Sequence, residues 1–323
     1  MGYFSGKNIL ICGGAGFIGI NLLNRIKDSG AKIRATLNDK PAVVNHDSIE
    51  YVKGNLRDAE FCSSIVKGID YVFMLAANSS GAAVMSKTPL VHVTPNVIMN
   101  ALMLDAAYSA GVKKFLFVSS NTVYPNTNYP VKEDEMLSGE PYDTYFCVGW
   151  MKRFSEIMCE MYAKKIKNPM KTVVIRPGNA YGEYDKFEWE TSKVIAATIR
   201  KVVERQAPIE VWGDGKDIKD FIYIGDLVEG MLLAMEKVED YTPLNIASGK
   251  PVTIREVLST SLKIEGYEDA KVVYNVSKPS MIPLRLIDVS KAKVVLGFEA
   301  KTPLYEGLKR TIDWYKATLK RGE

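Results

Sequence analysis

The stretch "CGGAGFIG" (12–19) joins an apolar run, "KNILICGG" (7–14), to a segment with helical spacing, "GFIGINLLNRIKDSG" (16–30). Its glycines Gly13, Gly16 and Gly19 allow a tight turn and a close approach of the backbone to a ligand. A pyrophosphate can then lie at the N-terminus of the following helix. Glycines at this spacing also form ordinary tight turns, so the interpretation depends on the segments that follow.

Those segments alternate between strand patterns and helical patterns. Strands are predicted at 31–39, 49–55, 70–77, 113–120 and 171–177, and helices at 58–68, 94–111 and 150–166. Such alternation is typical of a doubly wound parallel sheet, in which the glycine turn indicates a dinucleotide site. We therefore predict a Rossmann α/β domain over 1–177, to which 217–240 returns, and a smaller mixed α/β substrate-binding region over 178–323.

Composition restricts the classes of function. The 323 residues carry 42 Lys and Arg against 38 Asp and Glu, and the net charge of +4 gives no case for a nucleic-acid partner. No uninterrupted apolar run approaches the roughly 20 residues that span a bilayer, so we expect no membrane partner. Four cysteines without metal-binding spacing, and only two histidines, favour free thiols in the cytoplasm and predict no metal site.

Further motifs extend along nearly the whole chain. They are "GNLRD" (54–58), "MLAA" (74–77), "GVKKFLFVSSNTVYP" (111–125), "RPGNAYG" (176–182), "VWGDGKDIKDFIYIGD" (211–226), "LNIASG" (244–249) and "PLRLIDVSKAKVVLGF" (283–298). Together with the glycine turn, they resemble the extended short-chain dehydrogenase/reductase family of NAD(P)-dependent sugar-nucleotide epimerases, dehydratases and reductases. Within that family, the segment 179–201 resembles the GDP-fucose synthase and GDP-mannose 3,5-epimerase branches.

The resemblance implies a site for NAD or NADP. Its members are Gly13, Gly16, Phe17, Ile18, Gly19, Asn38, Asn55, Leu56, Ala76, Ala77, Asn78, Lys152 and Pro177. An acid at the tip of the second strand would bind the ribose hydroxyls of NAD. Here the tip reads Leu37-Asn38-Asp39-Lys40, with no acid at the usual offset and Asp39 just beyond it. Asn38 and Lys40 would tolerate a 2′-phosphate, so the tip favours NADP slightly and leaves NAD open.

Members of this family normally carry a Ser or Thr and a Tyr-x-x-x-Lys pair. The tyrosine passes the proton, and the lysine holds the nicotinamide ribose and lowers the pKa of the tyrosine. The stretch "YDTYFCVGWMKRFSE" (142–156) lacks this spacing, because Gly149 stands four residues after Tyr145 and Val148 stands four before Lys152. The segment after Lys152 matches the family's helix at that point. We therefore predict that Lys152 occupies the ribose-binding position.

Tyr145 is a candidate for the displaced proton carrier. Its separation of 25 residues from Ser120 fits the alternative register, and it would reach the substrate by folding back if the segment before the helix is not helical. A phenol at that position would have its pKa lowered by Lys152 or by the nicotinamide charge. The alternative is a tyrosine that only packs at the start of a helix.

Three further residues complete the predicted catalytic set. Ser120 lies at the carboxyl end of a strand, where ligands bind in such sheets. Thr122 occupies the position at which the two branches named above carry a proton-transferring cysteine, and threonine is a poorer base, which disfavours a double epimerisation. Lys193 stands where those branches have histidine or lysine as the acid/base partner, and its alternative is an ordinary surface lysine.

The resemblance also implies a substrate site and a homodimer. Asn179, Arg200, Trp212, Lys219 and Arg285 stand where relatives hold the sugar, the diphosphate or the base of a nucleotide sugar. Lys219 stands in place of the usual arginine. A lysine keeps the positive charge but cannot form the two parallel hydrogen bonds of a guanidinium. Trp212 also suits an interdomain core. Apolar-rich faces at 96–110 and 150–165 are compatible with a homodimer and equally with burial against the sheet.

These expectations leave two functions. The first is an epimerase or reductase that transfers hydride at a hydroxyl or ketone of a GDP-linked sugar, with an atypical Tyr/Lys segment. The second is a binding or regulatory protein that holds a dinucleotide and a nucleotide sugar without turnover. The missing Tyr-x-x-x-Lys favours the second function, and the full set of phosphate-binding positions in the C-terminal half favours the first.

Overall fold

The computed structural model describes residues 2–79, 88–189, 191–278 and 281–322. Its main sheet is parallel and seven-stranded, in the order β10-β6-β5-β4-β1-β2-β3. These strands are β1 (Asn8–Cys12), β2 (Lys32–Leu37), β3 (Ile49–Lys53), β4 (Tyr71–Met74), β5 (Lys114–Val118), β6 (Lys171–Pro177) and β10 (Thr242–Ile246). The order places β1 in the interior of the sheet, between β4 and β2, and all carboxyl ends at one edge.

Helices cover both faces of this sheet. They are α1 (Phe17–Ile26) and α6 (Ile224–Lys237) on one face, and α2 (Ala59–Ile65), α3 (Thr94–Ser109) and α4 (Phe146–Lys164) on the other. Alternate residues of β1 enter the two cores: Ile9 and Ile11 pack on the side of α1, and Leu10 and Cys12 on the side of α2. The helices thus bury both faces of the sheet, as a parallel sheet requires. The predicted doubly wound Rossmann fold is confirmed.

The rest of the chain forms a smaller mixed region. A three-stranded sheet contains β7 (Asn179–Tyr181), β9 (Ile218–Tyr223) and β11 (Pro251–Thr253), and β8 (Ile209–Trp212) pairs with β12 (Val272–Asn275). The helices are α5 (Val194–Val203), α7 (Ile254–Ile264), α8 (Ser290–Leu296) and α9 (Leu304–Arg321). The segment that returns to the main sheet comprises α6 and the edge strand β10, whereas the predicted 217–240 also included β9, which belongs to the three-stranded sheet.

One run, Leu90–Ser109, is long and apolar enough to cross a membrane by length and composition alone, with a mean hydropathy of 1.2. Core helices of globular folds meet the same criterion. Here α3, which makes up most of the run, packs against α2 and α4.

A buried polar network fixes α4 against β6. Arg176 Nη2 lies 2.6 Å from Glu156 Oε2, and both side chains are fully buried. Ser119 Oγ also donates to Glu156, and Arg176 Nη1 donates to Tyr124 Oη at 2.9 Å. The Tyr124 hydroxyl in turn donates to Asn245 Oδ1 at 2.6 Å. Because Glu156 and Lys152 lie one turn apart on α4, this network sets the position of Lys152.

Candidate functional site

The turn between β1 and α1 has no room for side chains at its key glycines. Gly13 has a φ of +92°, and a Cβ there would lie 3.0 Å from the Cα atom of Ala76. A Cβ on Gly19 would overlap the carbonyl oxygen of Gly13. The first amides of α1, at Phe17 and Ile18, have no acceptor within the helix and point toward whatever binds at its N-terminus. This turn therefore fits a dinucleotide diphosphate.

The strand tips beside the turn present the residues predicted for the adenosine half. Asn38 and Asp39 are exposed beyond β2, and Asn38 Nδ2 donates to Asp39 Oδ2 at 2.6 Å. Asn55 is exposed after β3, whereas Leu56 is buried in the core beneath α2. Leu56 can therefore contact an adenine only through its backbone.

The chain after β4 is held by a residue that the sequence analysis missed. The amide nitrogen of Asn78 donates to Asn96 Oδ1 at 2.8 Å, and Asn96 Nδ2 donates back to the carbonyl oxygen of Asn78 at 3.0 Å. This fixes the path of Ala76, Ala77 and Asn78 beside the glycine turn. Asn96 is buried in the first turn of α3, and nothing in the sequence of that helix distinguishes it from Asn100, which is buried as well.

Lys152 reaches the carboxyl end of β5. Its Nζ atom donates to the carbonyl oxygen of Val118 at 2.8 Å and lies 4.7 Å from the centre of the Phe117 ring. Burial lowers the pKa of Lys152 to about 8. The helix thus directs Lys152 to the strand end where Ser120 begins the next turn, as its predicted register requires, and Val148 stands one turn earlier. Its contact with a nicotinamide ribose stays a prediction.

Ser120 and Thr122 form a hydroxyl pair at the end of β5. Ser120 Oγ accepts from the Thr122 amide at 3.2 Å and from Thr122 Oγ1 at 3.0 Å. With both donors of Thr122 directed to it, Ser120 has its own proton available for an oxygen in the site. Next to this pair, Asn121 Nδ2 donates to the carbonyl oxygen of Pro177 at 3.0 Å, which positions Pro177 at the same edge of the sheet.

Tyr145 lies directly before α4, and its phenol is oriented toward the C-terminal region. Its neighbours are the backbone of Ile282 and the charges of Arg285 and Asp217. Burial raises the pKa of Tyr145 to about 12, and Lys152 is not among the groups that act on this phenol. The lowering expected from a nicotinamide charge stays a prediction. The predicted role of Tyr145 as proton carrier stays a prediction.

Two predicted substrate residues meet beside Tyr145. Lys219 Nζ donates to the carbonyl oxygen of Ile282 and lies 3.5 Å from Asp217 Oδ2. Arg285 is 1% exposed, and its Nη atoms donate to the carbonyl oxygens of Pro125 and Tyr124 at 2.9 and 3.2 Å. Its Nε atom is buried without a partner among the described residues. This buried positive charge has no carboxylate within ion-pair distance in the described part of the chain and suits an anionic ligand.

The other predicted substrate residues occupy separate positions. Arg200 stacks on Trp189, with 3.6 Å between the guanidinium carbon and the ring centre, and donates to the carbonyl oxygen of Phe187. Asn179 Nδ2 donates to the carbonyl oxygen of Asp220 at 3.1 Å. Trp212, the last residue of β8, is 42% exposed, so its alternative as interdomain core is wrong. Lys193 is exposed at the start of α5.

A comparison with protein-family models matches residues 9–247 to "NAD dependent epimerase/dehydratase family". The chain belongs to this family. The predicted resemblance, and the prediction of a nicotinamide-dependent enzyme of this type, are thereby confirmed at the level of the family. The match covers the glycine turn, the Ser120 strand end and Lys152. Among the described residues, no group of three or more His, Cys, Asp and Glu side chains is arranged to hold a metal ion.

Several members of the family are similar over almost the whole chain. A GDP-mannose 3,5-epimerase 1 from Oryza sativa subsp. japonica is 30% identical, over 97% of this chain and 82% of that protein. A probable GDP-L-fucose synthase 1 from the same organism is 29% identical, over 96% and 92%. The crystal structure of UDP-glucose 4-epimerase from Thermotoga maritima with UDP-glucose aligns with a TM-score of 0.87 at 28% identity, over 97% of this chain and 100% of that one.

Proposed function

We propose that this chain is an NADP- or NAD-dependent epimerase or reductase that acts at a hydroxyl or ketone of a GDP-linked sugar. The observation that supports the proposal is that residues predicted for both sites lie on, or directly before, one helix. Lys152 on α4 reaches the end of β5, and Tyr145 at the start of the same helix lies beside Arg285. A cofactor at the glycine turn and an anionic substrate at Arg285 would therefore meet near Ser120. The GDP linkage is supported by the two rice relatives.

Each group has a chemical role in this proposal. A bound nicotinamide supplies hydride acceptance and donation. Ser120 donates its free proton to the reacting oxygen of the sugar, and Thr122 holds Ser120 in that orientation. Lys152 places the nicotinamide ribose through its ammonium. Lys219 and Arg285 supply positive charge for the substrate diphosphate. Thr122 provides no base for a second proton transfer. Any epimerisation at a carbon other than the oxidised one therefore depends on Lys193.

Turnover with a panel of GDP-, UDP- and dTDP-linked sugars tests the proposal. The absorbance of the reduced nicotinamide follows oxidation or reduction, and product analysis follows epimerisation that returns the hydride to the same sugar. We expect turnover with a GDP-linked sugar. Turnover with UDP- or dTDP-linked sugars alone would remove the GDP assignment while keeping the reaction class.

Between the two cofactors, we favour NADP. Asp39 accepts from Asn38, and Lys40 follows as an exposed cation at the tip of β2, where a 2′-phosphate would lie. We expect calorimetry to show tighter binding of NADP than of NAD. We also expect Lys40→Met to weaken NADP by about tenfold and leave NAD unchanged. Equal affinities for the two cofactors in the wild type would contradict the preference.

The second candidate function, binding without turnover, is favoured by Val148. A valine at the position one turn before Lys152 cannot pass a proton, and the nearest upstream phenol, Tyr145, is directed toward Arg285. If cofactor and sugar nucleotide both raise the melting temperature and no sugar in the panel reacts, this candidate replaces the first.

We also propose a homodimer through α3 and α4. These two helices pack side by side, and they leave large apolar side chains at the surface. The exposed fractions are 38% for Ile98, 37% for Trp150, 48% for Phe154 and 48% for Met161. Burial of this face in a second copy would remove apolar surface from water. Light scattering should give twice the mass of one chain for the wild type. For Phe154→Glu it should give the mass of a single chain.

A further inference from the structure

A loop of the C-terminal region, residues 183–189, is fixed to the helix that forms the phosphate cradle. The carbonyl oxygen of Glu183 accepts from Asn21 Nδ2 at 2.9 Å, and the same Asn21 nitrogen donates to Phe17 at 2.9 Å. The carboxylate of Glu183 accepts from Tyr223 Oη at 2.8 Å. The start of the 183–189 loop is therefore held beside the first two turns of α1.

The end of the loop is held as firmly. The Phe187 ring stacks on Tyr315 with 4.3 Å between ring centres, and its carbonyl oxygen accepts from Arg200. Between these anchors, the Lys186 amide donates to Asp185 Oδ1 at 2.8 Å. Lys186 thus projects from a short segment that is fixed on both sides.

From this position Lys186 crosses to the far side of the glycine turn. Its Nζ atom donates to the carbonyl oxygen of Ser79 at 2.7 Å. Ser79 lies three residues after Ala76, whose backbone lies directly against Gly13. The Lys186 side chain therefore connects a loop held by α1 to the segment after β4, so it is joined to both flanks of the glycine turn. An ammonium held in this way is suitably placed to reach a diphosphate bound at the turn.

The charges around Lys186 favour the binding of an anion. Within the described residues its recorded partner is a neutral carbonyl group, and no carboxylate lies within ion-pair distance of it. Burial lowers the pKa of Lys186, and the positive charges of Lys40 and Lys193 lower it further, while Glu188 and Asp185 act in the opposite direction. A phosphate placed between Lys186 and the helix N-terminus would relieve this repulsion.

We propose that Lys186 is a cofactor-binding residue, whose ammonium closes the cradle from outside and binds the diphosphate of the dinucleotide. This rests on the proposed nicotinamide-dependent function. It gives the C-terminal region a direct part in holding the cofactor, in addition to its part in holding the substrate.

Calorimetry with NAD, NADP and ADP-ribose tests the proposal on the full-length chain. Because all three ligands contain the diphosphate, Lys186→Met should weaken each of them by a similar factor of about 10 to 100. The loss should shrink at high salt, since part of it is a charge interaction. Lys186→Arg should recover most of the affinity, and Lys186→Gln, which keeps a donor for Ser79 without the charge, should not.

The matched control is Lys237→Met, because Lys237 Nζ also donates to a backbone carbonyl, that of Leu296, at 2.6 Å and lies away from the turn. We expect it to bind all three ligands as the wild type does. Wild-type affinity in a folded Lys186→Met or Lys186→Gln variant would overturn the proposal and leave the proposed function intact. A wild-type chain that binds neither dinucleotide would overturn both.

Discussion

Lys152 Nζ donates to the carbonyl oxygen of Val118 at 2.8 Å, which joins the middle of α4 to the last residue of β5. This contact carries a charged group into the core, since Lys152 is only 9% exposed. Its energetic consequence depends on pH.

Burial lowers the pKa of Lys152 to about 8 from its ordinary value of 10.5. Between these values the unfolded chain binds more protons at Lys152 than the folded protein does, so this residue's contribution to stability rises with pH across that window. Lys152→Met removes the contribution. At pH 8 the free energy of unfolding should therefore be larger for the variant than for the wild type, and this difference should shrink by up to about 3 kcal/mol between pH 8 and 10.5. Urea unfolding of both proteins without cofactor measures it. A difference that is constant over this range would contradict the prediction.

Ser120→Ala should lower kcat by about 10²–10³ with little change in cofactor affinity, because it removes the donor to the reacting oxygen. Thr122→Val is the matched control. It keeps the volume and removes only the hydroxyl that donates to Ser120 at 3.0 Å, so its loss should be less than about tenfold. Steady-state kinetics and calorimetry measure the two effects. An equal loss in both variants would show that the pair acts as one unit.

Tyr145→Phe distinguishes a substrate contact from a proton carrier. The phenol lies beside Arg285, and its pKa is raised to about 12, so it does not titrate near neutral pH. We expect KM for the sugar nucleotide to rise by about 3- to 30-fold, the value of one or two hydrogen bonds, while kcat changes less than tenfold. A fall in kcat of about 10²–10⁴ at unchanged KM would instead identify the displaced general acid.

Glu156→Gln should destabilise the fold by about 3–5 kcal/mol, because it leaves the Arg176 guanidinium buried without its counter-charge. Glu160→Gln, on the same helix, is the control. Glu160 forms an exposed pair with Lys164 at 3.4 Å, and its loss should stay within about 0.5 kcal/mol. Urea denaturation of both variants at neutral pH provides the comparison, and similar values for the two would argue against a structural role for the buried pair.

Local patterns predict the parts of this fold that local physics determines. The apolar runs at 7–14, 70–77 and 113–120 form central strands because both faces of the sheet are covered, and the glycine turn follows from steric limits at Gly13 and Gly19. The direction of Tyr145 depends instead on Ile282 and Arg285, which are more than a hundred residues away in the sequence. No spacing rule within 142–156 contains that information, since a tertiary contact sets it.

The same limit applies to Lys186 and Asn96. Each acts on a backbone group of the segment after β4, the carbonyl oxygen of Ser79 and the amide of Asn78. Every residue type has a backbone carbonyl group, and all but proline have an amide N–H. The sequence of a segment therefore does not show which of its backbone groups is bound by a distant side chain. Such residues are found only when the path of the chain is known.

The return of the chain to complete the main sheet has a consequence for dissection of the protein. A fragment that ends at residue 177 would lack β10, so the backbone groups of β6 that pair with Thr242–Ile246 would form an open edge. The Tyr124 hydroxyl would also lose its acceptor on Asn245. The cofactor-binding half is therefore not an independent unit that can be produced alone. During synthesis on the ribosome, its last strand is not available until the first part of the substrate region, 178–223, has been made.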